Sequence, residues 1–295
     1  MENLFIDKAF IMNDYDTIIK KVSETLVEAG STFRKDQKEV YLKAIMNETI
    51  PAAKWVLEKI LENAEIAEKN HTPLCDDTGI PHLLLEVGPN KNISGQLLVA
   101  IQDGIKEGLG LLPGRPMAIK GNDTERIDQS RGLDTDPSAL APAPIIIKTV
   151  DEDITRLTIM MLGGGPAIRA KTYRVFHKRT VENVKSEIVE WATEGANKLG
   201  CTPCAIAVGI GRSHFEASSM MIEAMAKGNF NIQNEMEEDI TKRINSRQIG
   251  PLGLGGNTTV LGTFLKVGPQ RASGVRIVCV RPCCCFEPRR AEIIF

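Results

Sequence analysis

The sequence predicts a mixed α/β (α+β) fold in which a helical N-terminal region precedes an α/β core. Three observations carry the prediction. Up to residue 70 the apolar positions recur at helical spacing. Beyond residue 70, turn-rich segments separate short apolar runs of strand length from amphipathic stretches. The chain of 295 residues is 42% hydrophobic and 25% charged, enough apolar material for a sizeable core. No internal repeat, low-complexity tract or interdomain linker interrupts it, so residues 1–295 read as a single domain with a helical part (1–70) and an α/β part (71–295).

The elements follow in order. Ile18, Ile19, Val22, Leu26 and Val27 line one face of a first helix, with Asp14 or Asp16 placed to cap its start. A second helix spans about 35–46. Pro51 suits the first turn of a third, on which Trp55, Val56, Ile60 and Leu61 form an apolar stripe for the core. A turn segment at 72–79 leads to a strand at 83–87 and a helix at 93–112. Residues 121–144 read as a long loop, a length that in a compact domain is functional or disordered. Two strands at 145–150 and 157–162 end in Gly163-Gly164-Gly165. The segment 181–199 is an amphipathic helix stopped by Gly200, and 205–210 is a buried strand. Helices at 213–226 and 235–244 precede the glycine-rich Gly250–Asn257, which opens a final strand pair at 258–267 and 275–280.

Charge excludes some functions. Lys+Arg 36 against Asp+Glu 38 gives a net charge of −2, which argues against nucleic acid or an anionic membrane as partner. No uncharged apolar run of about eighteen residues is present. The acidic N-terminus lacks the basic start of a signal peptide, so a cytoplasmic location is expected. The block Arg169, Lys171, Arg174, Lys178 and Arg179, interleaved with Tyr173, Phe176 and His177, reads as a solvated face or subunit contact ahead of a nucleic-acid surface. His71, His82, His177 and His214 show no metal-ligand spacing and read as structural.

Seven cysteines stand out: Cys75 alone, the pair Cys201 and Cys204, and Cys279, Cys283, Cys284 and Cys285. Their odd number and a chain too long to need staples point away from a disulfide framework, towards metal, redox chemistry or buried thiols. Cys201-Thr202-Pro203-Cys204 follows a helix and opens a strand, the reverse of a thioredoxin-type site. A zinc site joining Cys201 and Cys204 to two C-terminal cysteines stays open. Neither Gly163–Gly165 nor Gly250–Gly256 matches a phosphate-loop pattern.

Four segments in order give these motifs a common meaning. Leu74-Cys75-Asp76-Asp77-Thr78-Gly79 resembles the CQDTG segment of the iron-sulfur class I fumarases and L-tartrate dehydratases, in their alpha subunit or N-terminal half. Cys201-Thr202-Pro203 through Val208-Gly209-Ile210-Gly211 is similar to the family's CPP…GVGIG. Gly250 to Thr258 is similar to its GPQGLGGxT, and Cys285-Phe286-Glu287-Pro288-Arg289-Arg290-Ala291 to its CWAxRRA. The resemblance extends through nearly the whole chain.

The resemblance implies that Cys75, Cys201 and Cys285 hold a 4Fe-4S cluster by three irons and leave the fourth open. Cys204, Cys279, Cys283 and Cys284 are then extras. An open iron acts as a Lewis acid on the hydroxyl and carboxylate oxygens of a 2-hydroxy acid, and a fourth cysteine would close it. The resemblance assigns catalytic work to Asp77 and Arg115, the latter in Gly114-Arg115-Pro116-Met117. It assigns substrate contacts to Asp76, Arg115, Gly164, Gly165 and Arg289. Asp76 stands where the family usually has glutamine, and Gln270-Arg271-Ala272-Ser273 lacks a family histidine. The expected function is therefore a hydro-lyase alpha subunit acting on a small dicarboxylate such as fumarate/malate. Tartrate dehydration, hydration of a methylated fumarate, and a non-catalytic zinc- or cluster-binding subunit are the alternatives. A separate beta subunit, in an α2β2 assembly, is implied to supply the rest of the active site.

Overall fold

The computed structural model describes residues 2–112 and 114–295. In sequence order its elements are α1 (Glu2–Ser31), α2 (Lys35–Asn47), α3 (Pro51–Asn70), β1 (Ile80–Val87), α4 (Gly95–Leu111), α5 (Asp123–Asp128), β2 (Ile146–Thr149), β3 (Thr155–Leu162), α6 (Gly164–Ala167), β4 (Lys171–Phe176), α7 (Val181–Leu199), β5 (Cys204–Gly211), α8 (His214–Lys227), α9 (Glu235–Asn245), β6 (Val260–Val267), β7 (Val275–Pro282) and β8 (Arg289–Ile294). Short 3-10 turns at Pro137–Leu140 and Pro251–Gly253 complete them. The mixed α/β class and the helical N-terminal region are as the sequence predicts. No described helix is long and apolar enough to cross a membrane.

The chain divides into two compact units, one of Met1–Thr32, Ala67–Leu162 and Arg289–Phe295, the other of Phe33–Ile66 and Gly163–Pro288. In the first, a four-stranded sheet runs in the order β2-β1-β3-β8, with β2 parallel to β1 and the other pairs antiparallel. Alternate residues Leu83 and Leu85 of β1 and Leu157, Ile159 and Met161 of β3 face Val22, Leu26 and Ala29 of α1 and Ile101, Ile105 and Leu109 of α4. In the second, the order is β4-β7-β5-β6, with β5 and β6 parallel and β7 antiparallel to both its neighbours. Every residue of β5 is buried, which is why it reads as an unbroken apolar run. Ile206 and Val208 join Ile188, Val189 and Ala192 of α7 and Ile240 and Ile244 of α9 in one core cluster.

Several expectations need correction. No glycine or proline interrupts residues 2–29, so α1 runs through Asp14 and Asp16, which lie inside the helix and do not cap it. Trp55 is exposed on α3, where Val56, Leu57 and Leu61 form the buried stripe. The supposed long loop holds α5, whose start carries a capping box between Asn122 and Glu125, and a 3-10 turn capped by Asp136. The basic, aromatic block needs no such correction: it contains β4, an edge strand on which Val175 is the buried residue, in agreement with its reading as a solvated face. Tyr173 of that strand stacks on Trp191 with ring centroids 3.7 Å apart.

Candidate active site

In the first unit the candidate residues gather at the segment between α3 and β1. The Leu74 N–H donates to the Gly30 carbonyl (3.0 Å), anchoring the segment at the end of α1, and Cys75 follows half-buried. Asp76 and Asp77 then face different partners. The Asp76 Oδ2 lies 3.2 Å from Arg115 Nη1, in an ion pair whose side chains are 81% and 52% exposed. The Asp77 Oδ1 instead accepts the Gly79 N–H at 3.2 Å, an Asx-type turn. Thr78 donates its hydroxyl to the Arg115 carbonyl at 3.0 Å, so the two predicted loops are tied through the backbone as well as by charge.

Arg289 sits behind this turn. Its side chain is 1% exposed, with Nε donating to the Met161 carbonyl (3.1 Å) and Nη1 to the Asp77 carbonyl (2.9 Å). Among the described residues its Nη2 has no hydrogen-bond partner. A buried guanidinium nitrogen without an acceptor is costly, and an anion is the natural group to satisfy it. Arg289 thereby grips the backbone of the Asp77 segment, a role that spacing alone did not suggest.

The second unit holds Gly163–Gly165, Cys201 and Cys285. α7 ends at Gly200 (φ +81°), and the exposed Cys201 follows at once. The next residue, Thr202, donates its hydroxyl to the Gly250 carbonyl (2.9 Å) and accepts the Leu252 N–H on its own carbonyl (3.1 Å). The glycine-rich loop thus props the segment that carries Cys201. Glycine is obligatory at 250, where φ is +72° and a Cβ would lie 1.8 Å from the Gly255 oxygen. The segment carrying Cys285 is held from α2: Tyr41 donates its hydroxyl to the Cys285 carbonyl (2.8 Å), and Gln37 Nε2 donates to the carbonyls of Phe286 (3.1 Å) and Glu287 (3.3 Å). Burial pushes the Tyr41 phenol well above its usual range, helped by the nearby thiols of Cys285, Cys284, Cys204 and Cys201. Sequence reasoning missed Gln37 and Tyr41, whose only signal is their spacing of one helical turn on α2.

Burial sorts the seven cysteines, all of them reduced. Cys75 and Cys285 are half-buried and Cys201 is exposed, while Cys204, Cys279, Cys283 and Cys284 are buried. Cys279 Sγ lies 3.7 Å from Met221 Sδ and Cys283 Sγ 3.6 Å from Met225 Sδ, packing contacts between soft sulfurs. Burial holds Cys204 well above the usual thiol range, and it pushes Cys283 up to about 12 even though Arg281 pulls the other way. The three cysteines singled out by the resemblance are the three of the seven that are not buried. Cys75 belongs to the first unit and Cys201 and Cys285 to the second, and among the described residues no set of three or more His, Cys, Asp or Glu side chains forms a ready-made metal site.

Of the remaining predicted residues, Gly164 and Gly165 are half-buried at the start of α6, and a Cβ on Gly165 would meet nothing within 4 Å. Gln270, in the segment that lacks the expected histidine, donates to the Gly268 carbonyl at 2.9 Å. His177 is structural: its Nδ1 accepts the Arg179 N–H (2.8 Å) while its Nε2 faces the Ser273 carbonyl (2.9 Å).

Comparison with known proteins bears on the whole of this arrangement. A family model described as fumarate hydratase (Fumerase) matches residues 19–294. A Methanocaldococcus jannaschii protein, provisionally named as the alpha subunit of L(+)-tartrate dehydratase, is 27% identical over 286 residues, covering 92% of this chain and 96% of its own. The L(+)-tartrate dehydratase alpha subunit of Escherichia coli K12 is 22% identical over 84% of this chain and 80% of its own. A Geobacillus stearothermophilus protein, provisionally named a class I fumarate hydratase, is 24% identical over 86% of this chain but only 50% of its own length.

Proposed function

The chain belongs to the fumarate hydratase family and is a hydro-lyase, and on that premise we propose that it is the alpha subunit of an enzyme that adds or removes water at a small hydroxy-dicarboxylate such as malate/fumarate, using a 4Fe-4S cluster held by Cys75, Cys201 and Cys285. The observation that carries this reading is the sorting of the cysteines: of seven thiols, the three approachable ones are the three at the family's ligand positions. A zinc site built on Cys204 would have to draw on a buried thiol. L(+)-tartrate is the competing substrate, favoured by the names of the relatives with the fullest coverage.

When bound, the cluster supplies an open iron that acts as a Lewis acid on the substrate's oxygens. The protein's own groups do the rest. Arg115 takes a substrate carboxylate through its planar fork once Asp76 gives way, an exchange made cheap by the exposure of that ion pair. Asp77, held at Oδ1 by the Gly79 N–H and at its carbonyl by Arg289, transfers the proton at Oδ2. The Gly164 and Gly165 peptides, without side chains to block approach, contact substrate oxygens through the backbone. A separate beta subunit supplies the rest of the active site in an α2β2 assembly in the cytoplasm; the match to the Geobacillus stearothermophilus relative covers only 50% of that protein's length.

Anaerobic purification with iron and sulfide analysis tests the assignment. The wild type and Cys204→Ser are expected to be brown with about four irons per protomer, and Cys75→Ser, Cys201→Ser and Cys285→Ser to lose the colour. A colourless wild type after reconstitution, or zinc lost on Cys204→Ser, overturns the reading.

A further inference from the structure

Two of the charges that the second unit buries lie beside the candidate residues and are not used by the proposed chemistry. Arg281, at the end of β7, is 3% exposed and Glu287, in the turn after it, is 1% exposed. Their fork is bidentate, with Arg281 Nη1 at 2.5 Å from Glu287 Oε2 and Nη2 at 3.2 Å from Oε1. The Glu287 carboxylate holds the Arg281 guanidinium above its usual range against the opposing effect of burial.

Both charges close on one residue. Glu287 Oε1 accepts the Gly163 N–H at 2.5 Å, and Arg281 Nη2 donates to the Gly163 carbonyl at 3.3 Å. The two polar groups of Gly163, first of the three glycines, are thus taken by the two ends of one ion pair. The same Glu287 donates its backbone N–H to the Cys284 carbonyl (3.0 Å), closing the turn that presents Cys285. The rest of the Arg281 surroundings are soft: Met225 Sδ and Cys283 Sγ, each 3.6 Å from Nη1.

An ion pair this deep is poor at stabilising a fold. Desolvation offsets most of the attraction, and apolar residues of similar volume often serve stability as well or better. What apolar residues do not supply is a fixed grip on both ends of a glycine that has no side chain to anchor it. We propose that Arg281 and Glu287 are positioning residues that lock the Gly163–Gly165 turn to the Cys285 turn, so that the substrate-binding peptides and the third cluster ligand keep one spacing. The proposal rests on the reading of Gly164 and Gly165 as substrate contacts and of Cys285 as a ligand.

The test compares the wild type with Glu287→Gln and with the double variant Arg281→Met/Glu287→Leu, each as the iron-loaded complex with its beta subunit. Glu287→Gln leaves a buried, unpaired guanidinium and is expected to unfold more readily. The double variant removes both charges and is expected to keep the wild-type unfolding midpoint. Contacts made equally in ground and transition states raise KM with little change in kcat, so the double variant should show KM raised on the order of tenfold at near-constant kcat. Its visible absorbance should also bleach several-fold faster in air, because the Cys285 turn has lost its tie. A folded double variant with wild-type KM and wild-type bleaching rate overturns the proposal. A double variant that fails to fold also overturns it, by assigning the pair to stability. If the brown wild-type complex converts no dicarboxylate, the functional reading fails on that result alone, and the bleaching comparison still decides whether the pair positions Cys285.

Discussion

Replacing Gly79 by alanine probes the architecture of the candidate site most directly. Gly79 has φ +83°, and a Cβ there would stand 2.7 Å from Arg289 Nη2 and 3.0 Å from both the carbonyl carbon and the amide nitrogen of Leu162. The left-handed conformation costs an alanine about 1–2 kcal/mol. Overpacking adds about 1–3 kcal/mol, and here the neighbours have little freedom to give. Leu162 contributes backbone, and Arg289 is 1% exposed with Nε and Nη1 already committed to the Met161 and Asp77 carbonyls. The expected loss is therefore about 2–5 kcal/mol. Urea unfolding followed by circular dichroism measures it, with Gly95→Ala as a control at the first position of α4, where a Cβ meets nothing within 4 Å. That control should be neutral or stabilising by up to about 1 kcal/mol. A Gly79→Ala protein within about 0.5 kcal/mol of wild type, at unchanged urea dependence, refutes the claim that Arg289 and the turn are rigidly interlocked.

Three further outcomes are expected. Asp76→Asn removes an exposed ion pair, so stability should change by less than about 0.5 kcal/mol, while KM for a dicarboxylate falls roughly two- to fivefold because Arg115 no longer has an internal competitor; steady-state kinetics showing a raised KM would make Asp76 a substrate contact instead. On the acid side, the hydrogen bond from Lys185 holds the Asp239 carboxyl below its ordinary value of 3.8, so its contribution is present above that pH and lost as the pH falls through the lowered folded value. Unfolding midpoints of wild type and Asp239→Asn should accordingly differ at pH 7 and draw together as the pH falls below 3.8, and a difference that does not shrink in acid counts against the assignment. In metal-free protein, iodoacetamide at neutral pH should label the exposed Cys201 at least tenfold faster than the buried Cys204, Cys279 and Cys283, read by peptide mass spectrometry.

Elements whose pattern is set by burial were legible in the sequence. α7 is an amphipathic helix over Val181–Leu199 with a glycine stop, and β5 is an apolar run because both its faces are covered. Elements whose sequence serves solvent were not. β4 reads as a basic patch because it is an edge strand, and α5 reads as loop because its only signature is the Asn122–Glu125 capping box on a six-residue helix without a buried residue. The start of α1 was misplaced for a related reason: Asp14 and Asp16 are good caps in isolation, but a cap ends a helix only where the residues upstream are unable to continue it.

At the candidate site the residues to which the proposed function gives chemistry stand in short motifs, whereas Gln37 and Tyr41, which hold one of those motifs, do not. Cys75, Asp77, Arg115, Cys201 and Cys285 were legible because they lie in or beside the segments that resemble the family's motifs. Gln37, Tyr41 and Arg289 act largely on backbone carbonyls, through contacts separated by more than a hundred residues in sequence. A carbonyl is common to every residue, so such a contact leaves no pattern at the accepting end; a lone Gln or Tyr at the donating end is indistinguishable from a surface residue until burial is known, and Arg289 stood out only through the motif that contains it. The same limit applies to Arg281 and Glu287, two charges six residues apart that in sequence suggest only solvated surface. Their burial around Gly163 removes that reading and makes the glycine turn, the Cys285 turn and the ion pair one mechanical element. Substitutions there should therefore act on the site as a unit, and their effects should be far from additive.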